Sequence, residues 1–308
     1  MATMPQPKRF FDSELIARLS RVELTAKRVV DGFLAGKNRS NRHGFSVEFV
    51  EHREYAPGDD LRHLDWKVLG RMDRYYIKRY EEETNITACI LLDSSASMTY
   101  GSGELSKFEM GACAASALAH LLNRQRDAVG LAFFDTEVRA FLPPTSKRVA
   151  VAQIAAQLEG AEPQGKTELD EVFRQVGHDL PGRSLFIVIS DFFVSSDRLE
   201  SALRFLDYHG HDAIVLQTLD EAERTFPFRS QVLFRGLEDS RELLVEPQRL
   251  RSEYLKRMEG FLGEVRRLTE ARAFDYQLLT SNEAMAPLLS ATLTARARRR
   301  AVLRKRGS

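Results

Sequence analysis

From Ile86 onward, apolar strand-like runs alternate with helical stretches, and this alternation constrains the fold more than any other feature of the sequence. The runs ITACILLD, DAVGLAFFD, SLFIVISD, AIVLQTLD and FDYQLLTS are almost continuously apolar, as strands buried on both faces are. Amphipathic stretches such as KFEMGACAASALAHLLNRQ separate them. The pattern predicts an α/β fold with a doubly wound, mostly parallel sheet that is covered by helices on both faces.

Shorter segments complete the predicted organisation. VRAFL is expected to pair as a hairpin with DAVGLAFFD, and QVLFRG with RELLVEP to form an inserted hairpin before a long helix over Pro247–Arg272. Ahead of the α/β region, an amphipathic helix over Asp12–Gly36 precedes a segment rich in strand and turn signals. We therefore predict a small helix-plus-strands domain over residues 1–85 and the α/β domain over residues 86–308, ending in a basic C-terminal helix.

Polar residues follow two of the predicted strands at the point where each strand ends. Asp93 ends ILLD and is followed by Ser95 and Ser97, while Asp191 ends FIVISD. Ligands bind beyond the carboxyl ends of parallel strands, so these side chains are expected to converge. Two neighbouring carboxylates repel each other unless a cation lies between them. Because Mg²⁺ and Mn²⁺ prefer carboxylate and hydroxyl oxygens, the sequence predicts a metal site here.

Thr167, in PQGKTELDEVF, is a further candidate because it lies where a loop meets a predicted helix. Taken alone, its more usual role is the N-cap of that helix, with Asp170 three residues further on. Asp93 and Asp191 have the same alternative, as caps of the helices that follow them. The order of the three segments along the chain favours the metal site over these separate roles.

This order resembles the metal-ion-dependent adhesion site of von Willebrand factor A domains. Asp93, Ser95 and Ser97 match its first motif, Thr167 the second and Asp191 the third. The resemblance implies that these oxygens and water hold a divalent ion, and that an acidic residue of a protein partner completes the coordination. It also implies one antiparallel edge strand, which agrees with the prediction for VRAFL.

A longer resemblance runs from about Gly44 to the C-terminal helix. REYAPGDDLRHLDWKVLGR, YIKRYEEETN and LLDSSASM, in succession, are similar to the bacterial family called domain of unknown function 58. Its R-x-Y-x-x-G-D-x-x-R-x-x-D-W block is matched by Arg53, Tyr55, Gly58, Asp59, Arg62, Asp65 and Trp66. Members are often encoded beside MoxR-type AAA+ ATPases, so the resemblance implies a partner or adaptor role with such an ATPase. From the residues themselves, the block is expected to be structural, and a second acidic site is the alternative.

Other signals narrow the function and the location. No G-x-S-x-G elbow or phosphate-binding glycine loop follows the first strand of the α/β region, which argues against acyl hydrolases and nucleotide-binding proteins. No apolar run approaches the ~18 residues of a membrane span, and the N-terminus has no signal-peptide core. Cys89 and Cys113 lie in apolar patterns without metal-type spacing. These signals predict a cytoplasmic protein.

The C-terminal tail carries seven arginine and lysine residues within its last fourteen positions. A solvated helix end is the default interpretation, and a weak contact with a polyanion or an anionic membrane surface is the alternative. Specific nucleic-acid recognition is not expected, because no aromatic residues alternate with the basic ones.

The sequence therefore predicts a non-enzymatic, metal-dependent protein-interaction module that uses Mg²⁺ or Mn²⁺ and has a MoxR-type AAA+ ATPase as its expected partner. The alternative is a Mg²⁺-dependent hydrolase built on the same Asp, Ser and Thr cluster. That alternative lacks an identifiable general base, because no histidine lies near the motifs in sequence and Asp191 is already assigned to the metal.

Overall fold

The computed structural model describes residues 49–54, 75–80, 86–180, 182–239 and 241–281, together with Leu289. The chain divides into a small unit, Gly36–Asn85, and a large unit whose described residues begin at Ile86. The predicted helix over Asp12–Gly36 and the basic tail lie outside the described residues, as does the predicted C-terminal helix apart from Leu289. The assignment of residues 1–85 to one domain therefore stays a prediction.

The described part of the small unit is an antiparallel strand pair. β1 (Phe49–Glu54) pairs with β2 (Tyr76–Tyr80), with Arg53 opposite Ile77 in the register. The backbone of Arg53 thus lies in β1, whereas the rest of the predicted structural block, from Tyr55 to Trp66, lies outside the described residues. The role expected for that block stays a prediction.

The large unit is built around a mostly parallel sheet. Its strands, with those of one separate hairpin, are β3 (Thr87–Asp93), β4 (Ala128–Phe134), β5 (Val138–Thr145), β6 (Leu185–Ser190), β7 (Asp212–Leu219), β8 (Val232–Arg235), β9 (Glu242–Val245) and β10 (Asp275–Thr280). Six of them form the sheet, in the order β10-β7-β6-β3-β4-β5, and only β4 and β5 are antiparallel neighbours. The predicted α/β class and mostly parallel sheet are confirmed, as are the hairpin of β8 with β9 and the antiparallel edge strand.

Helices cover both faces of this sheet. The helices described in the large unit are α1 (Lys107–Arg124), α2 (Val149–Gly160), α3 (Asp170–Asp179), α4 (Ser196–Tyr208), α5 (Glu221–Thr225) and α6 (Pro247–Glu270). Side chains alternate along β3, so Ile90 packs with α1 and α2 on one face while Leu91 packs with α3, α4 and α6 on the other. Within the part of the chain that is described, no helix is long and apolar enough to cross a membrane.

The edge strand β5 shows how local sequence fits its place in the sheet. It runs through Pro143 and Pro144, which an edge strand tolerates because one side of its backbone has no ladder to donate to. A Cβ atom at Gly130 of β4 would lie 2.5 Å from the carbonyl oxygen of Leu142, so the close approach of these two strands requires glycine.

Candidate metal site

The centre of the candidate site is the carboxyl end of β3, where the chain turns directly after Asp93. Asp93 is fully buried, and its Oδ1 accepts the backbone N–H of Ser95 at 2.8 Å. This Asx-type turn leads into a 3₁₀ helix over Ala96–Thr99. The hydroxyls of Ser95 and Ser97, which the turn carries, lie 3.0 Å apart and are buried. The segment DSSAS therefore places two hydroxyls together beside the end of the central strand.

The second carboxylate oxygen of Asp93 is bound by two other segments. Its Oδ2 accepts the hydroxyl of Ser190 at 2.6 Å and that of Thr167 at 3.0 Å. Ser190 is the last residue of β6, which neighbours β3, and Thr167 lies in the loop before α3. Asp93 thus joins three segments that are far apart in the sequence.

The capping alternatives for Thr167 and Asp191 are wrong. Helix α3 has Leu169 at its N-cap position and no side-chain cap, while the hydroxyl of Thr167 points to Asp93 instead. Helix α4 has Ser195 at its N-cap, not Asp191. Thr167 belongs to the loop that reaches β3, and its hydroxyl serves the end of the sheet.

Asp191, directly after β6, is fully buried and bound by a cation of the protein itself. Its Oδ1 accepts the backbone N–H of Phe193 at 3.1 Å. Its Oδ2 lies 2.7 Å from Nζ of Lys107, the first residue of α1. The same ammonium lies 2.8 Å from Oε1 of Glu223 in α5 and 4.8 Å from the ring centroid of Phe193. The ion pair of Lys107 with two carboxylates was not predicted from the sequence.

The electrostatics of the site show an excess of negative charge. Burial and, after it, the nearby charge of Asp191 together raise the pKa of Asp93 to about 7, although hydrogen bonds from Ser190 and Ser95 act in the opposite direction. Burial alone would lower the pKa of Lys107, but Asp191 and Glu223 raise it above its ordinary value, so the ammonium is charged. One ammonium is paired with Asp191 and Glu223, and Asp93 adds a third carboxylate close enough to Asp191 for their charges to repel, so the ammonium offsets only part of the negative charge.

The donor set fits a hard divalent cation. With all four groups ionised, Asp93, Asp191 and Glu223 against Lys107 leave a charge of −2, which Mg²⁺ or Mn²⁺ would balance. Carboxylate and hydroxyl oxygens are the ligands that these ions prefer. Among the described residues, no group of three or more His, Cys, Asp or Glu side chains is arranged to hold a metal. A metal shell here would therefore rely on serine and threonine hydroxyls as well as carboxylates.

A cleft of about 290 Å³ opens onto this cluster. Ser97, Lys107, Phe193 and Glu223 line one side of it, and the tip of the β8–β9 hairpin, residues 235–239, lines the other. The hairpin is anchored by Phe234, whose ring stacks on that of Phe226 with centroids 5.8 Å apart. Residues of the inserted hairpin thus line the same cleft as Ser97, Lys107 and Glu223.

The structure adds three residues that reasoning from the sequence missed. Ser190 donates to Asp93, and Lys107 and Glu223 form the buried ion pair. The sequence held one signal for Lys107. A lysine in the first turn of a helix is repelled by the positive end of the helix dipole, so its presence there suggests a role outside the helix. Glu223 had no comparable signal, because it lies 116 residues from Lys107 in the sequence.

The part of the chain that matches known proteins includes the residues of this site. The family model described as protein of unknown function DUF58 matches residues 51–260, a range that includes Asp93, Lys107, Thr167, Asp191 and Glu223. Uncharacterized proteins of Mycobacterium bovis and Mycobacterium tuberculosis are each 24% identical over 261 residues, which is 83% of this chain and 81% of theirs.

Two solved structures from Bacteroides are also similar. The conserved hypothetical protein BatB from Bacteroides thetaiotaomicron has a TM-score of 0.49 at 16% identity. The match covers 70% of this chain and 100% of that one. An aerotolerance-related membrane protein from Bacteroides fragilis has a TM-score of 0.48 at 17% identity, covering 68% of this chain and 98% of that one.

Proposed function

This chain belongs to the family described as protein of unknown function DUF58, and we propose that it is a non-enzymatic protein-interaction module whose binding site depends on Mg²⁺ or Mn²⁺. The observation that carries the proposal is the convergence of oxygen atoms on Asp93, at the carboxyl end of β3. The proposed architecture is that of a von Willebrand factor A-like domain. A parallel sheet with one antiparallel edge strand supports it.

Each side chain of the proposed site has a separate task. Asp93 fixes the turn through one oxygen and gathers the hydroxyls of Thr167 and Ser190 through the other. A hydroxyl that donates its hydrogen to Asp93 keeps its lone pairs, so Thr167 can still offer oxygen to a cation. Ser95 and Ser97 contribute two further oxygens. When bound, the ion supplies a coordination position for one more oxygen ligand.

The proposed partner is a protein that presents an acidic side chain to this position. A cleft of about 290 Å³ admits a side chain or a short loop, but not a folded domain. A carboxylate oxygen reaching the ion would make a short, directional, charge-assisted contact that is lost without metal. By resemblance, we propose a MoxR-type AAA+ ATPase as this partner and the cytoplasm as the setting.

For the alternative function, a hydrolase, the structure offers one further acidic residue, but that residue is not free to act as a general base. Glu223 lines the cleft, and the sequence did not indicate it as a candidate general base. Both of its carboxylate oxygens are engaged, Oε1 with Lys107 at 2.8 Å and Oε2 with the backbone N–H of Asp220 at 3.0 Å. A general base must be able to take a proton from water in reach of the substrate. The binding module is therefore the function that the geometry supports best.

The test is the affinity of the purified protein for a purified MoxR-type ATPase from the same organism. We expect binding in Mg²⁺, and at least ~tenfold weaker binding in EDTA or with Asp93→Ala, since a charge-assisted contact is worth about 1.5–3 kcal/mol. Asp127→Asn is the matched control, because Asp127 is also buried but accepts the N–H of Ile86 at the opposite edge of the sheet. Equal binding in all these conditions would mean that the metal site is not the contact.

A further inference from the structure

Lys107 occupies a position that is unfavourable for a lysine in two ways. It is the first residue of α1, directly after the N-cap Ser106, where the positive end of the helix dipole repels a cation. Its side chain is also only 1% exposed, and a buried ammonium is strongly disfavoured unless it is paired. Helix stability does not need this residue, because Ser106 and Glu109 already form a capping box.

The contacts of Lys107 show what it does instead. Its ammonium joins Asp191, which follows β6, to Glu223, which lies in α5 after β7. Glu223 is itself tied to the start of α5 through the N–H of Asp220. The remaining face of the ammonium lies toward the ring of Phe193 at the cleft. Lys107 therefore links the ends of two strands at the floor of the cleft.

We propose that Lys107 is a built-in cation of the site, which holds Asp191 and Glu223 in place without a metal ion and lowers the affinity of the site for a divalent cation. The second part rests on the proposed metal-dependent function. The first part concerns only contacts between side chains of this chain. Lys107 is thus a positioning residue that tunes the metal site.

The direction of the effect on metal affinity follows from charge. Lys107 contributes +1 beside Asp191, and this charge repels an incoming divalent ion. Without it, the buried Asp191 and the partly buried Glu223 would be two neighbouring carboxylates without the ammonium that now pairs with both, so a cation would be bound more tightly. A purely structural lysine would have the opposite signature, because its loss would disorder the site and weaken binding.

The experiment is a calorimetric titration of the full chain with Mg²⁺, and separately with Mn²⁺, for the wild type, Lys107→Met and Lys107→Arg. We expect Lys107→Met, which keeps the length but removes the charge, to bind at least ~tenfold more tightly. Lys107→Arg keeps the charge and is expected to stay near the wild-type affinity. Unchanged or weaker binding in Lys107→Met overturns the effect on metal affinity.

Thermal unfolding in EDTA tests the first part of the proposal. Lys107→Met is expected to melt roughly 5 °C or more below the wild type, because it removes the ammonium from the buried Asp191 and the partly buried Glu223. Mg²⁺ should recover more of that loss than it adds to the wild type. An unchanged melting temperature of Lys107→Met in EDTA overturns the role as a built-in cation.

Two further results distinguish a failure of the proposal for Lys107 from a failure of the proposed metal-dependent function. If Lys107→Met does not fold, Glu223→Gln replaces it in the titration, and we expect about threefold weaker Mg²⁺ binding because one negative charge is lost beside the unchanged ammonium. Equal affinity of Glu223→Gln and wild type then overturns the inference. If the wild type binds neither ion, the proposed metal-dependent function fails, and the role of Lys107 is decided by the melting temperatures in EDTA alone.

Discussion

Aspartates lie at both ends of the parallel strands, which we call the amino edge and the carboxyl edge of the sheet, but their contacts differ. At the amino edge, the buried Asp127 accepts the backbone N–H of Ile86 at 2.8 Å, and the half-buried Asp212 accepts that of the next residue, Ala213, at 2.9 Å. The contact of Asp127 joins the segments that precede β4 and β3, whereas that of Asp212 is local. At the carboxyl edge, Asp93 gathers side-chain hydroxyls from two other segments and lies close enough to Asp191 for their charges to repel. An edge that concentrates charge in this way is typical of a binding site, because folding alone does not require it.

A comparison within the carboxyl edge sharpens this difference. Asp220, which follows β7, accepts hydrogen bonds from the backbone of Ser102 and Ala222 and from the hydroxyl of Ser102. Burial raises its pKa, but these hydrogen bonds outweigh burial and hold the pKa below the usual value. Asp93 is equally rich in hydrogen bonds, yet its pKa is raised to about 7 by burial and by Asp191. Hydrogen bonds thus outweigh burial at Asp220 but not at Asp93, where the charge of Asp191 adds to the effect of burial.

The largest expected effect is on Mg²⁺ affinity, when one aspartate is substituted at each edge of the sheet. Asp93→Ala should abolish Mg²⁺ binding, because it removes the carboxylate that fixes the serine turn and gathers Thr167. Asp127→Asn, at the amino edge, should lower stability but leave Mg²⁺ binding unchanged. Calorimetric titration of both variants checks this. If Asp93→Ala retained the wild-type affinity, the carboxyl edge would have no special role.

The next effect concerns a hydroxyl. Thr167→Val is expected to weaken Mg²⁺ binding and partner binding by about tenfold, since one hydrogen-bonded oxygen is worth roughly 1 kcal/mol or more. Thr269→Val is the matched control, because Thr269 is also buried and donates to the carbonyl of Val265 within α6, away from the site. Both variants should remain folded by circular dichroism. Similar losses of affinity in both would indicate a general effect of stability.

A smaller effect is expected at Ser97. Ser97 lies at the cleft, 3.0 Å from the hydroxyl of Ser95, so water can take the place of its oxygen in Ser97→Ala. We expect a loss of affinity for Mg²⁺ of about threefold, well below that of Thr167→Val. A titration in which Ser97→Ala is as damaging as Asp93→Ala would contradict this ranking.

A separate effect, on stability and not on binding, is the pH dependence of the free energy of unfolding without metal. The pKa of Asp93 is raised to about 7 in the folded protein from an ordinary value of 3.8, so between these values the folded state binds more protons than the unfolded state. The free energy of unfolding in EDTA should therefore fall as pH rises from about 4 to about 7, by roughly 1 kcal/mol per pH unit.

Urea denaturation at several pH values measures this slope. Asp93→Asn removes the titrating group and should flatten the curve, while Asp127→Asn should keep it. A wild-type stability that rises over the same pH range in EDTA would show that the two carboxylates at the carboxyl edge do not repel each other as described.

Much of the fold could be predicted from the sequence, because strands buried on both faces and amphipathic helices have distinct periodicities. The strand predicted at ITACILLD is β3, and the alternation of apolar runs correctly predicted a mostly parallel sheet. The prediction for VRAFL was right in its pairing but too short, since β5 continues to Thr145 through two prolines that an edge strand tolerates.

The site was less accessible to such reasoning. Asp93 and Asp191 could be placed together because both end strands of one parallel sheet. The ion pair of Lys107 with Asp191 could not, because it joins residues 84 positions apart and depends on where α1 begins above the sheet. Thr167 had a common local role as a helix cap, and only the tertiary path of its loop decides between that role and Asp93. Local pattern thus predicts where strands end, but not which distant side chains meet there.

The most direct measurement of the central claim is the anomalous scattering of Mn²⁺ in crystals of the protein grown or soaked with that ion. We expect one strong anomalous peak at the carboxyl edge of the sheet, within coordination distance of oxygens from Asp93, Ser95, Ser97 or Thr167. The peak should disappear in Asp93→Ala crystals. A saturating soak that leaves this edge without a peak, or that places Mn²⁺ only at the amino edge, would contradict the account.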